Sequence, residues 1–406
     1  MKLKLSLLAA AALCTAHAAH AQSSITLFGV VDASLSSYSA TSKFVGDPTA
    51  SGQAPTVTQH ANKIANSAFA PSRLGFRGTE DLGGGMSAGF WLEGQIYNDD
   101  GGGSFNFSRR STVSLTNPWG ELRLGRDVTV LGWNNYIGDP FGVMGVGGFA
   151  PLQIFGYVSA MRGVAAGQLP SDNYIWSSNS VGYFLPPNLG GIYGQVQYAL
   201  GEGPSTDTAS NAGKSKKAGG FWGGRIGYDK GPVNVALAYG EDNKDGLVTP
   251  GKSRIKTFNV AGTYDFGPVK LIGQLTQLRD EQAPTGAARA NGVYDGGLLG
   301  FTAPMLGGMV RCAYDWVKYN APKGTSAQNN DATLGKLALG YVYFLSQRTL
   351  LYATAAYTRT HFNGAVNIPI ALTASTVAYS TGLSGSPAGY APTHTSGYDF
   401  GILHSF

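Results

Sequence analysis

The sequence predicts an all-β fold, a 16-stranded antiparallel transmembrane β-barrel with short turns at one end and long loops at the other. Three observations predict it: alternation of apolar and polar residues, connections that alternate in length, and a composition poor in charge. Charged residues make up 13% of the chain, yet its mean hydropathy is only −0.06. Lipid-facing apolar residues that alternate with small polar residues facing water would give this average.

The first 21 residues have the three parts of a cleavable secretory signal. A start with two lysines is followed by an apolar run over residues 5–13, and Ala19-His20-Ala21 offers a small-x-small cleavage site. That run is too short for a membrane anchor, which needs about 20 residues. We therefore expect a signal peptide over residues 1–21 and an exported barrel domain over residues 22–406.

The start of the mature chain shows the alternation clearly. In residues 25–36, apolar side chains and one glycine occupy the odd positions, whereas threonine, aspartate and serine fill most even positions. A period of two with one apolar face is typical of a β-strand. The same pattern recurs along the chain, for example at residues 86–93, 192–200 and 233–239.

The connections between these strands fall into two classes. Glycine and proline supply the dihedral angles of most of the short turns, at residues 81–85, 117–120, 187–190, 229–232, 266–268, 304–308 and 346–348. The long loops are predicted at residues 39–66, 98–106, 128–169, 203–217, 242–253, 280–291, 320–331 and 360–395. This asymmetry is typical of outer-membrane barrels, in which short turns are periplasmic and long loops are extracellular.

A soluble β-sandwich would also alternate, so the period alone does not decide between the two folds. The loop asymmetry, the aromatic residues near strand ends and the last strand favour the barrel. Closing the sheet satisfies every backbone donor and acceptor, as hydrocarbon requires. One face of the last strand carries a row that we interpret as an assembly signal, Tyr398, Phe400, Ile402 and Phe406.

Several motifs resemble the general porins of Gram-negative bacteria, especially those of β-proteobacteria. The most specific is SRLGFRGTEDLGGG at residues 72–85, which is similar to the second strand and first turn of that family. Further similar segments are residues 124–126, 139–142, 197–202, 264–267 and 404–406. The resemblance implies a homotrimer in the outer membrane, with one water-filled pore per subunit narrowed by an inward-folded third loop. Residues 128–169 suit that loop because they are apolar and lack strand alternation.

As a porin, the protein would let small hydrophilic solutes and ions diffuse passively, in contact with outer-membrane lipid and lipopolysaccharide. Two alternatives fit the same barrel, a substrate-specific channel and a structural or adhesive barrel with a closed pore. No enzyme, cofactor or metal site is expected, because the sequence has no Gly-x-Ser-x-Gly motif, no complete phosphate loop and no metal-ligand spacing of histidines. The dispersed net charge of +5 does not favour nucleic acid.

Strand alternation places Arg73, Arg77, Glu93 and Arg110 on the water-facing side of the barrel. Arg109 has the opposite parity, but the resemblance implies an arginine at this place, so a bulge or strand end could turn it inward. An arginine on the lipid face near the midplane would cost roughly 2–4 kcal/mol, although a place in the headgroup zone is the usual fate of a single barrel arginine. The predicted pore constriction consists of Arg73, Arg77, Glu93, Arg109, Arg110, Arg126 and Asp139.

The third loop departs from what the resemblance implies. General porins often place several carboxylates there, whereas residues 128–169 contain one acid, Asp139, and one base, Arg162. Charged rings select ions by their sign, so we predict a mild anion preference with Glu93 and Asp139 as the main counter-charges. Relatives often carry a further arginine just before Asn179. Here Trp176 precedes that position, so the basic row would be one residue short and an aromatic side chain would narrow the pore.

Overall fold

The computed structural model describes residues 24–163, 173–201, 219–245, 251–284, 290–321, 331–362 and 389–406. The predicted signal peptide lies outside the described residues. The strands are β1 (Ser24–Phe44), β2 (Thr56–Asn66), β3 (Arg73–Gly83), β4 (Met86–Gln95), β5 (Ser111–Asn117), β6 (Gly120–Val128), β7 (Trp176–Phe184), β8 (Ile192–Ala199), β9 (Phe221–Lys230), β10 (Val233–Asn243), β11 (Gly251–Asp265), β12 (Lys270–Pro284), β13 (Ala290–Met305), β14 (Gly308–Asn320), β15 (Ala332–Phe344), β16 (Thr349–Phe362) and β17 (Tyr390–Ser405). The helices are α1 (Pro48–Ser51), α2 (Val130–Ile137) and α3 (Ala150–Gly163).

The strands form one closed antiparallel sheet in which β1 pairs with β17. The beginning of β1 also pairs with β3, and its later part pairs with β2. These two strands are therefore halves of one wall strand, interrupted where Ser67 has a φ of 63°. Counted in this way, the barrel has 16 strands, as the sequence predicted.

Several strands continue into segments that were expected to be loops. The predicted loop at residues 39–66 is mostly a hairpin, formed by the end of β1 and by β2 with α1 at its tip. Parts of the predicted loops at residues 242–253 and 280–291 are strand as well. A strand beyond the hydrocarbon needs no apolar face, so its polar residues hide the period on which the prediction depended.

The alternation separates an outer face from a lumen face. In β1, Asp32, Ser34 and Ser36 are buried, whereas Leu35 between them is 65% exposed on the outer face. The last strand shows the same outer face, because its predicted assembly residues are all exposed there. The Phe406 ring fills the space above Gly29, where a Cβ would overlap it. The role of this strand in assembly stays a prediction.

The third loop lies inside the barrel against the lumen face. Thr129 caps α2, since its Oγ1 accepts a hydrogen bond of 3.0 Å from the Gly132 N–H. This helix packs on β9, β10 and β11, and α3 packs on β12, β13 and β14. Large apolar side chains of the loop are buried against the wall, among them Phe141, Phe149 and Phe155. Within the described residues, no helix combines the length and apolar character needed to span a membrane.

Candidate pore constriction

Charged side chains from three neighbouring strands meet on the lumen face beside the third loop. Glu93 of β4 is almost buried, and its Oε1 lies 2.5 Å from Arg109 Nε and 3.7 Å from Arg73 Nε. Gly75 of β3 is in register with Glu93, so the beginning of β3, which carries Arg73, lies next to this carboxylate. The structure therefore brings together three of the residues singled out from the sequence.

Arg109 and Arg110 are consecutive, yet both side chains point into the lumen. Regular pairing of β5 begins only at Ser111, so both arginines precede the alternating part of the strand. The Glu93 N–H donates to the Arg110 carbonyl over 2.7 Å, and the Arg109 N–H donates to the Glu93 carbonyl over 3.1 Å. Arg110 Nε donates to Thr112 Oγ1 over 3.0 Å. Two consecutive residues thus face the single residue Glu93, as in a β-bulge, which lets both side chains turn inward.

A further set of charges on β6 was missed in the sequence analysis. Arg123 is buried, and its Nη1 donates to Asp127 Oδ2 over 2.6 Å while its Nη2 donates to Glu121 Oε2 over 2.9 Å. Asp127 also lies 3.7 Å from Arg110 Nε, which links β6 to the cluster. The signal was available, because these residues alternate with the exposed Leu122 and Leu124.

The described contacts of Arg126 are with Ser108 and Ser178 and not with this cluster, and its place in the constriction stays a prediction. Arg126 follows Leu122 and Leu124 on the outward side of β6, next to a register shift between Gly125 and Asp127. Its Nη1 donates to Ser178 Oγ over 2.8 Å and its Nε donates to the Ser108 carbonyl. Alternation along β6 assigns a lumen position to Arg123.

Aromatic rings accompany the arginines of the lumen. Arg77 is exposed, and its guanidinium lies 5.2 Å from the ring centre of Trp91 and 5.6 Å from that of Phe28. The guanidinium of Arg110 lies 4.6 Å from the Trp91 ring. Trp176 lies 4.9 Å from the guanidinium of Arg109, so this tryptophan contacts the cluster. Each such cation–π contact stabilises by about 0.5–1 kcal/mol where it is exposed.

The third loop approaches the cluster with a phenol and not with a carboxylate. Arg109 donates a hydrogen bond to the side chain of Tyr136 in α2. Burial raises the pKa of Tyr136 despite the opposing effect of Arg109, so the group stays neutral at neutral pH. Tyr136 therefore adds no negative charge beside the arginines.

Asp139 has other described partners than these arginines, and its role as their counter-charge stays a prediction. Its carboxylate is buried within the loop and accepts three backbone hydrogen bonds, from Phe141 over 2.8 Å, Val143 over 2.7 Å and Phe149 over 2.8 Å. Burial raises its pKa, and the three N–H donors and the charge of Lys336 partly offset that effect. The carboxylate therefore shapes the loop turn.

Wall residues on β14, β15 and β17 hold the tip of the loop. Lys336 Nζ donates to the carbonyls of Gly147, over 3.1 Å, and Gly148, and it lies 2.9 Å from Asp315 Oδ2. The same Asp315 oxygen accepts the Ala150 N–H over 3.0 Å. Asp399 accepts the Val146 N–H over 2.9 Å. The tip is thus fixed at several points by fully buried charges.

Amides fix the beginning of the loop in the same way. Asn134 donates to the Ala236 carbonyl over 3.2 Å and to Asn259 Oδ1 over 3.0 Å, and its own Oδ1 accepts from Arg225 Nε over 2.5 Å. Asn135 accepts from Gln274 Nε2 over 2.5 Å. Hydrogen bonds therefore join the loop to the wall both at its beginning and at its tip. The described residues contain no cluster of His, Cys, Asp or Glu suited to a metal ion.

Comparison with known proteins gives a consistent result. A family model described as Gram-negative porin matches residues 7–363. Outer membrane porin protein 32 of Delftia acidovorans is 36% identical over 358 residues, which are 87% of this chain and 89% of that protein. An outer membrane porin protein of Bordetella pertussis is 29% identical over 388 residues, 88% of this chain and 94% of that protein.

Solved structures agree with these relatives. An anion-selective porin from Comamonas acidovorans superposes with a TM-score of 0.69 at 32% identity, covering 95% of this chain and 100% of that chain. OmpT of Vibrio cholerae superposes with a TM-score of 0.59 at 12% identity, covering 95% of this chain and 98% of that chain. The second likeness concerns the fold alone.

Proposed function

Because this chain belongs to the Gram-negative porin family, and is therefore an outer-membrane channel for passive diffusion and not an enzyme, we propose that its channel prefers small anions. The channel itself follows from the family, whereas the sign of the ions that pass most readily is proposed here. That sign depends on the charges of the lumen face and on what the third loop sets against them.

The carrying observation is an excess of guanidinium groups beside a loop that does not balance them. Five arginines lie on this part of the lumen face, Arg73, Arg77, Arg109, Arg110 and Arg123. Three acids accompany them, Glu93, Glu121 and Asp127. The loop adds the neutral Tyr136, while Asp139 is enclosed by its own backbone donors. A passage of net positive charge lowers the barrier for anions and raises it for cations.

The relatives support the same direction. The structure from Comamonas acidovorans, at 32% identity, is that of an anion-selective porin. In this chain, Arg73 and Arg110 keep partly exposed side chains, 27% and 15%, so that their N–H groups can meet a passing ion. A guanidinium presents several donors in one plane and suits carboxylates and phosphates as well as halides.

The test is the reversal potential of single channels in a planar bilayer with a potassium chloride gradient. We expect a sign that indicates preferred passage of chloride, together with open steps of constant conductance. A clear cation preference would contradict the proposal. A current that saturates with one solute would instead indicate a substrate-specific channel, and a lack of conductance steps would indicate a closed barrel.

The surroundings of the channel are proposed on the family relationship. We propose that export removes residues 1–21, and that the mature chain forms a homotrimer surrounded by outer-membrane lipid and lipopolysaccharide. Small hydrophilic solutes and ions would be its passengers. N-terminal sequencing of the protein from outer membranes and its native mass in detergent test these points, and a start other than Gln22 or a monomeric mass would contradict them.

A further inference from the structure

Trp91 is an uncharged residue of the lumen wall that contacts the arginine cluster. It lies on β4 between Arg77 of β3 and Thr112 of β5, with which it is in register on either side. Its indole is half-buried and contacts two arginines, Arg77 and Arg110. No other described ring has two arginines of the cluster within 5.2 Å of its centre.

The ring is held by a small platform. Phe28 packs against Trp91 with ring centres 5.0 Å apart. The Phe28 side chain lies over Gly75, where a Cβ would overlap its ring, so glycine is needed for this approach. The indole Nε1 donates to Glu93 Oε2 over 3.1 Å. Packing on one side and a hydrogen bond on the other thus fix the orientation of the indole.

This geometry sets the distance between two cations. The guanidinium carbons of Arg110 and Arg77 lie 4.6 Å and 5.2 Å from one ring centre, so they cannot be farther apart than about 10 Å. That distance is about one Debye length at 0.1 M salt, so the fields of the two charges overlap. An anion that leaves one guanidinium is already attracted by the next.

The indole also limits the effect of the opposing charge. One oxygen of Glu93 accepts the Trp91 N–H, and the other accepts Arg109 Nε over 2.5 Å. Both oxygens of this acid are therefore engaged on the wall side. Arg77 and Arg110 contact the ring and have no ion pair with Glu93 within 4.0 Å among the described contacts.

We infer that Trp91 is a positioning residue for ion selectivity, which holds Arg77 and Arg110 as two successive stations for anions and binds one carboxylate oxygen of Glu93. The inference rests on the proposed anion preference and adds to it a residue without charge. A description by net charge alone predicts no effect of replacing Trp91, because the charge of the lumen does not change.

The test compares permeability ratios of neutral substitutions. We expect W91L to lower the anion-to-cation permeability ratio by roughly two- to fivefold, as the loss of contacts of about 0.5–1 kcal/mol implies. W91F keeps a ring and should lose less. W222L is the matched control, because Trp222 is 49% exposed on the outer face and contacts Tyr239 at a ring-centre distance of 5.4 Å. The ratio should stay at the wild-type value in W222L.

A double-mutant cycle separates positioning from general damage. If Trp91 acts through Arg77 and Arg110, W91L should have little further effect in the R77Q/R110Q background. An undiminished effect in that background, or a W91L channel with the wild-type ratio, would overturn the inference. The wild-type reversal potential tests the proposed function separately, since the cycle compares variants whichever ion the wild type prefers.

Lysine substitutions keep the inference testable if W91L does not fold. R77K and R110K preserve the charge, but a lysine lacks the planar group that stacks on an indole. We expect both to lower the ratio in the wild-type background. A ratio that does not change in either variant would also overturn the inference.

Discussion

Two regions inside the barrel contain acids and bases, and they differ in how the charges are enclosed. The loop anchor comprises Asp139, Asp315, Lys336 and Asp399, which are all nearly inaccessible and accept or donate backbone hydrogen bonds. The arginine cluster of β3–β6 has more bases than acids, and several of its guanidinium groups are partly exposed. Charges that are hydrogen-bonded to the backbone fix the loop in place, whereas an arginine cluster with excess positive charge and partial exposure can act on passing ions.

The largest effect is expected from breaking the anchor. Lys336→Met leaves Asp315 buried without its counter-charge, and breaking a buried pair costs about 3–5 kcal/mol. We expect a lower free energy of unfolding in denaturant and larger, noisier conductance steps, because the loop tip loses its hold. Lys256→Met is the control, since the Lys256–Glu281 pair is about one-third exposed and should contribute at most about 1 kcal/mol. Equal losses in both variants would contradict the distinction.

The next effect concerns the arginine cluster. Arg110→Gln should lower the anion-to-cation permeability ratio by about fivefold, since two unit charges about 4 Å apart in bulk water interact by about 1 kcal/mol. Arg126→Gln removes the same charge from the outward side of β6 and should change the ratio little. Reversal potentials of the two variants measure this directly. A larger effect for Arg126 would reverse the assignment of faces.

This pair of variants also bears on how much the sequence could predict. Strict alternation placed Arg73, Arg77 and Glu93 on the lumen face, because β3 and β4 are regular there. The same alternation along β6 assigns Arg123 to the lumen face, a residue that the sequence prediction left out. The fold itself was predictable because lipid forces one apolar face on every crossing strand.

Other features could not be predicted from a pattern in the sequence. The sequence showed that Asp139 is the only acid of the third loop, but not that three backbone N–H groups would enclose it. Such contacts depend on a turn that brings Phe141, Val143 and Phe149 around one carboxylate. The contacts of Lys336 and Asp315 with the loop tip join residues that are far apart in the chain. A periodic pattern within one strand cannot predict such contacts.

A smaller effect should distinguish the two acids. Glu93→Gln removes a charge beside Arg73 and Arg109 and should raise the anion preference by less than about fivefold, because a unit charge about 4 Å away in bulk water interacts by about 1 kcal/mol. Asp139→Asn should leave the permeability ratio unchanged and lower the stability of the loop. Reversal potential and denaturant unfolding, measured on both variants, provide the comparison. A clear change of the ratio in Asp139→Asn would place this residue in the constriction.

The smallest effect comes from salt. Raising potassium chloride from 0.1 to 1 M shortens the Debye length from about 10 Å to about 3 Å. The anion preference should therefore weaken, because the arginine cluster is open to the solution. The enclosed anchor should respond little, so denaturant unfolding of the wild type at both concentrations is the control. A preference that is independent of salt would favour selection by pore size.

The pairing of β1 with β17 has a consequence for how the protein is made. One edge of β1 pairs with β2 and β3, but the other edge finds its partner only when β17 arrives, and hydrogen bonds of 3.0 and 3.1 Å then join Gly29 to Phe406. Until then β1 presents an unpaired edge, which is a template for aggregation. Contacts between residues so distant in sequence also form slowly. The unfolded chain therefore needs protection on its way to the membrane until β17 has paired with β1.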